Sequence, residues 1–371
     1  MEVLNYIIPF LFLITIVVFI HEYGHYYFAK LYGVGITDFS IGFGKELFGF
    51  NDKFGTRWKF CLIPLGGYVK FFGDRNVFSQ AEQVELLKKY NKEDQHKLFV
   101  TKPLYQRALI VAAGPLANFI LAIFIFSFIY MFSGKDFTPA QILEVQTDSP
   151  AKIAGIQKDD IILSINENNV QSILDVSTYI NASSADIINI KVLRNNETLT
   201  FKVKPKKIKG KDSLGNNIKK KIIGIKISPL NNEFNRKKLG PATAIFYGVK
   251  ETWFITKTSF KFIVSMLKGK GDTTQLGGPI KIAKITGQVS QLGFVAFLSI
   301  MAYISISLGF INLFPIPMLD GGHLMFYAFE KILGRPLKQR TQEGFFRIGL
   351  FLLFSLMFFT TFNDLKDLGL F

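Results

Sequence analysis

His21-Glu22-Tyr23-Gly24-His25 has the residue types and the spacing of a metal site. On a helix, residues four apart share a face, so both imidazoles can reach one zinc ion. Glu22 then stands beside the metal, where it can take a proton from an attacking water. The flanking residues are apolar, from Tyr6–Ile20 before the motif to Tyr26–Ala29 after it, a run long enough to span a bilayer as a helix. Ionisable groups inside such a run are costly and mark function.

A zinc hydrolase commonly takes three protein ligands and keeps a fourth position open. The chain has four histidines, at 21, 25, 96 and 323, and one cysteine, Cys61. That count excludes a Cys-rich zinc site and an intrachain disulfide. His96 sits beside Asp94 and Lys97 in a lysine-rich loop and reads as a solvated side chain. His323 and Asp320 remain as candidates. Both lie in Asn312–His323, where Pro315 and Pro317 interrupt an apolar run and free backbone groups to face a cavity.

The elements that must position these residues are membrane elements. Of 371 residues, 49% are hydrophobic and 40 are Phe, with a mean hydropathy of +0.26. This composition predicts a polytopic α-helical membrane protein. Four spans are expected, at about 5–29, 104–132, 292–317 and 345–363. No Lys or Arg precedes Lys30 and no small-residue cleavage site follows, so the first reads as a retained span and not a signal peptide. The net charge of +16 is assigned to loop lysines that orient the chain and meet anionic lipid. No nucleic-acid motif accompanies it, and no nucleic-acid partner is expected. Basic residues in 30–103, and Lys331, Arg335, Lys338 and Arg340, put those loops in the cytoplasm. Residues 133–290 then lie on the other side, and the His-Glu site falls toward the cytoplasmic end of its span.

The N-terminal membrane half, 1–136, contains a further feature at 36–72. There Ile36–Ile41 and Arg57–Leu62 read as strands, with Gly42, Gly44, Gly66 and Gly67 as turn residues, in a membrane-associated β-hairpin region. Residues 137–229 read as an inserted α+β domain. Ile161–Ile165 is a strand leading into an Asn-rich turn, and Ile187–Leu193 and Thr198–Val203 form a hairpin about Asn195-Asn196. Lys206–Lys221 reads as a flexible basic excursion. Residues 230–290 hold an amphipathic helix and a connecting segment. Phe246, Val249, Trp253, Phe260, Ile263 and Leu267 make its stripe, with Lys250, Lys257 and Lys261 elsewhere; it either packs on its own domain or lies in the membrane interface. Residues 291–371 form the C-terminal membrane half.

His-Glu-x-x-His in a first span, joined to Asn312-x-x-Pro-x-Pro-x-x-Asp320-Gly in a late one, resembles the site-2 protease family of intramembrane zinc metalloproteases. Phe39–Gly44, Pro64–Val69, Ala113-Gly-Pro-Leu-Ala-Asn118, Gly277-Gly-Pro279 and Leu319–His323 resemble segments of its bacterial RseP-type branch, in order along nearly the whole chain. The resemblance implies zinc as cofactor, with His21, His25 and Asp320 as ligands and Glu22 as general base. It also implies that Asn312 binds the substrate backbone or the developing oxyanion. Residues 36–72 would be a re-entrant β-loop that pairs with an extended substrate. Ser307 stands where a second Asn is common in that branch.

Ser149-Pro-Ala-Lys-Ile-Ala-Gly155 and Asp160–Ile165 resemble a bacterial-protease PDZ domain, with Asp159 in place of the usual Gly and room for one such domain where RseP has two. Its groove would take a peptide C-terminus. The implied activity is endoproteolysis of single-span membrane proteins, anti-sigma factors or remnant signal peptides, at the bacterial inner membrane. The competing reading is a membrane-bound PDZ scaffold with a structural zinc site. A metal transporter would carry ionisable residues along several spans, and the second span has none between Arg107 and Phe132.

Overall fold

The computed structural model describes residues 2–73, 90–183, 185–211, 217–269 and 276–367. Among these, four helices are long and apolar enough to cross a membrane: Leu4–Leu31, Leu104–Phe132, Phe294–Asn312 and Arg340–Lys366. The chain is a polytopic helical membrane protein with a β region. It divides into one unit of residues 1–125 and 276–371 and another of residues 126–275.

The first unit begins with α1 (Glu2–Leu31), then β1 (Ile36–Asn51), β2 (Arg57–Phe71) and α2 (Leu104–Phe132). The two strands are longer than their sequence pattern predicts. Gly42, Gly44 and Gly66 do not end strands; they bend them, at φ of 88°, 88° and 117°. Asp38–Ile41 pairs on one side with Gly67–Lys70 and on the other with Arg57–Phe60, while Arg57–Phe60 also pairs with Phe48–Asn51. Two strands thereby fold into a ribbon four strands wide, ordered 67–71, 36–41, 57–61, 48–51. Its far turn is fixed to α1. The Tyr26 hydroxyl donates to Asp52 Oδ2 at 2.7 Å, Trp58 Nε1 donates to the same oxygen at 3.2 Å, and the Phe54 and Thr56 amides donate to Oδ1. Phe39, fully buried, stacks on Trp58 with centroids 4.2 Å apart.

The second unit holds β3 (Ala140–Val145), β4 (Ile161–Ile165), α3 (Ile173–Ala182), β5 (Ile188–Arg194), β6 (Glu197–Val203), β7 (Lys206–Lys211), β8 (Asn217–Ile222), β9 (Ile225–Pro229) and α4 (Pro241–Leu267). An antiparallel sheet runs β9-β3-β4-β5-β6, with Asn168–Asn169 alongside β4. Alternate residues of β5, Ile188, Ile190 and Val192, are buried and meet Val176 and Ile180 of α3, the period-2 and period-3.6 faces of one core. The β5–β6 turn has Asn195 and Asn196 at φ of 48° and 65°, the hairpin geometry that asparagine tolerates. The segment expected to be a flexible excursion is instead a hairpin: β7 and β8 pair in register from Lys206–Ile222 to Lys211–Asn217. Lysines dominate both strands, with Ile208 in β7 and Ile218 and Ile222 in β8, so the run of positive charge reads in the sequence as a solvated loop.

The first unit resumes with α5 (Pro279–Ser290), α6 (Phe294–Asn312), α7 (Asp320–Leu333) and α8 (Gln339–Asp367). Two of these are absent from the sequence reading. α5 falls within the expected connecting segment; Pro279 opens it, a favoured first helical residue. Asp364 of α8, 2% exposed, accepts the amides of Gly278 (2.9 Å) and Lys281 (3.0 Å), capping α5 from another helix. α6 ends at Asn312, short of the expected 317, because Pro315 and Pro317 cannot continue the ladder. A new helix, α7, starts at Asp320.

Candidate metal centre

α1 places His21 and His25 one turn apart on the face that meets α2. Close approach of the two helices depends on two glycines. A Cβ on Gly24 would overlap the backbone of Ala113, and one on Gly114 would overlap the His25 ring. Asp320 arrives from the opposite side as the first residue of α7, where a carboxylate also suits the helix dipole. Gly321 and Gly322 let the first turn of α7 fold back on the carbonyls of Leu313, Phe314 and Ile316, which aims Asp320 inward.

The three groups converge. His21 Nε2 lies 3.1 Å from Asp320 Oδ2, His25 Nε2 lies 3.5 Å from Asp320 Oδ1, and the two Nε2 atoms are 3.3 Å apart. One ligand atom from each residue can be chosen so that all lie within 4.8 Å of one another. Four ligands at zinc-like bond lengths have edges of roughly 3.3–3.6 Å, so the spacing suits a tetrahedral ion. The donor chemistry agrees. His25 Nδ1 is 2.9 Å from the Ile110 carbonyl oxygen, which can only accept. The proton is therefore on Nδ1, and His25 Nε2 presents a lone pair to its neighbours. A second imidazole nitrogen and a carboxylate facing that lone pair form a set that a cation completes.

Glu22 is partly buried next to this set. Its carboxylate accepts the Val69 amide of β2, and Gly67 passes close enough that a Cβ there would lie 3.2 Å from Glu22 Cγ. The ribbon edge at 67–71 thus runs beside the site. Asn312, the last residue of α6, has Nδ2 3.5 Å from His21 Nε2. His323, the alternative third ligand, stands one turn past Asp320 among Phe326 and Phe346 and is not in the converging set. His96 is exposed. Ser307 is exposed too, and its hydroxyl donates to the Tyr303 carbonyl of its own helix at 2.9 Å. It is the buried Ser305 that reaches across, donating to the Asn118 carbonyl of α2.

Two partners of the histidines escaped the sequence reading: the Ile110 carbonyl and the Asn118 amide, which lies 3.2 Å from His21 Nδ1. A main-chain carbonyl leaves no trace in sequence. Asn118 did leave one, as a polar side chain inside an apolar span. The close helix contact at Gly24 and Gly114 brings both partners near the histidines.

The model of Peptidase family M50 matches residues 9–356. A protein of Mesorhizobium japonicum, provisionally named a zinc metalloprotease, is 40% identical over 98% of this chain and 99% of its own length. An Agrobacterium fabrum protein with the same provisional name is 40% identical over 98% and 96%. A Caulobacter vibrioides protein named metalloprotease MmpA is 34% identical over 98% and 96%. Family, relatives and a converging His-His-Asp set lead to one conclusion: the chain belongs to Peptidase family M50 and is a zinc metalloprotease of the site-2 type.

Proposed function

We propose that this metalloprotease is an intramembrane endopeptidase that cuts single-span membrane proteins within or near their spanning segment. His21, His25 and Asp320 hold the zinc, Glu22 is the general base and Asn312 contacts the substrate. The observation that carries the reading is the meeting of His21, His25 and Asp320 from two helices, with Glu22 on the same turn. Zinc held there would polarise the scissile carbonyl and activate water at neutral pH. Glu22 accepts the proton that water gives up and passes it to the leaving nitrogen. Asn312 offers its amide N–H to the oxyanion or to the substrate backbone.

A helical substrate hides its carbonyls in its own hydrogen bonds, so it must be extended before attack. The ribbon edge at 67–71 has a strand partner, 36–41, on one side and runs past Glu22 on the other, which suits strand addition by an unwound substrate. Exposed Phe43, Leu47, Phe48, Phe60 and Leu62 favour a ribbon immersed in the bilayer. The sheet and α3 of residues 137–229 are read as a single PDZ-like domain that takes a peptide C-terminus. The chain lies in a bacterial inner membrane, with that domain outside the cytoplasm and the site near the cytoplasmic face. Family resemblance suggests anti-sigma factors or remnant signal peptides as substrates.

The test is cleavage of a model single-span protein by the purified chain in liposomes. Glu22→Gln is expected to abolish cleavage while zinc content stays at the wild-type level. Cleavage by that variant at an undiminished rate would refute the base assignment. A wild-type chain that holds zinc yet never cuts a spanning segment would favour the scaffold reading.

A further inference from the structure

Asn118 lies midway along α2 and is fully buried. An amide buried among apolar side chains is costly without a hydrogen bond. Its main-chain carbonyl accepts the Ser305 hydroxyl at 2.9 Å, and Gly309 leaves room for its Cβ, so α6 holds the residue in place. Its amide faces His21 Nδ1 at 3.2 Å through Nδ2, and Oδ1 has no hydrogen-bond partner among the described residues. No second hydrogen bond of the side chain, among the described residues, selects which end of the amide points at the ring.

His21 itself selects it. Were Nδ2 to donate to Nδ1, the ring proton would sit on Nε2, the atom turned toward His25 and Asp320, and no lone pair would remain there. A half-turn of the amide, which exchanges two ends of nearly equal size, puts Oδ1 against Nδ1. Oδ1 then accepts the Nδ1 proton, and Nε2 faces the cluster bare. His25 is held the same way by the Ile110 carbonyl. α2 thus presents one acceptor to each imidazole, eight residues apart in sequence, with Gly114 leaving space between them.

We propose that Asn118 is a positioning residue: its side-chain oxygen fixes the tautomer and orientation of His21 for zinc. This rests on the reading of His21 as a ligand. The experiment is zinc affinity of the full chain in detergent, by competition with a chromophoric chelator, for wild type and for Asn118→Leu, Asn118→Asp and His21→Ala. Asn118→Leu keeps the volume and removes the acceptor; it should bind zinc about 10- to 100-fold more weakly, the usual effect of deleting such a partner. Asn118→Asp keeps an acceptor and should stay within a few-fold of wild type. Equal affinity of Asn118→Leu and wild type overturns the proposal, as does equal loss in the Leu and Asp variants. If His21→Ala keeps wild-type affinity, the ligand reading itself falls. Nitrogen-15 NMR of the histidine rings in wild type, assigned with His21→Ala, needs no Asn118 variant. A His21 ring protonated at Nε2 in the zinc-free chain would overturn the proposal alone.

Discussion

Replacing Gly114 by alanine should separate the metal centre from the fold that surrounds it. Position 114 faces the His25 ring, and an added Cβ would lie on Nε2, 2.5 Å from Cε1 and 2.9 Å from Cδ2. The atoms in the way belong to a side chain, so the ring can swing aside while both helices stay. Swinging breaks the bond from Nδ1 to the Ile110 carbonyl, worth about 1 kcal/mol, and the crowding adds about 1–3 kcal/mol. Together that is about 2–4 kcal/mol at the site, or roughly 30- to 1,000-fold in zinc affinity. Gly24→Ala is the contrasting variant. Its Cβ meets the Ala113 backbone, 2.8 Å from the carbonyl carbon, and the Ala117 Cβ at 2.9 Å, which cannot rotate away. It should lower the thermal midpoint of the metal-free chain more than Gly114→Ala does, whereas Gly114→Ala should weaken zinc binding more. The assay is chelator competition for zinc paired with thermal unfolding in detergent. Wild-type zinc affinity in Gly114→Ala would refute the placement of His25 against α2.

Two further outcomes follow from other parts of the chain. Asp364→Ala removes two amide acceptors at the start of α5 and leaves those donors buried; at about 1–2 kcal/mol for a lost cap, it should lower the thermal midpoint, and an unchanged midpoint would contradict the cap. In the second unit, burial raises the Glu251 carboxyl above its ordinary range; Lys135 opposes that shift and Asp175 reinforces it. A carboxyl with a raised folded-state pKa contributes stability below its unfolded value, near 4.3, and loses it as pH rises through the folded value. Glu251→Gln should therefore gain in midpoint over wild type between pH 5 and pH 8, measured by thermal unfolding of the full chain, and a constant difference across that range would refute the shift.

The four spans and the two histidines of α1 are legible in the sequence because both are local. Apolar run length decides a span, and a four-residue spacing puts His21 and His25 on one face whatever else surrounds them. The Asn195-Asn196 hairpin is legible for the same reason: two adjacent residues that tolerate positive φ between alternating strands. The glycines at 42, 44, 66 and 67 misled because a glycine marks a bend, and only strand pairing decides whether the strand stops there or folds over. α5 was hidden because its cap comes from Asp364, 86 residues away. At the site, the sequence left His323 and Asp320 both open without the family resemblance. The tertiary structure separates them: the Pro-broken link from Asn312 starts α7 at Asp320 and turns its carboxylate toward His21, while His323, one turn on, packs among phenylalanines. Sequence alone determined which residues could bind a metal, since that depends on side-chain chemistry and helical spacing. Tertiary structure decided which of them meet and, for His25, which ring nitrogen is bare. Those depend on the Ile110 carbonyl of α2 and on close contact at two glycines, Gly24 of α1 and Gly114 of α2.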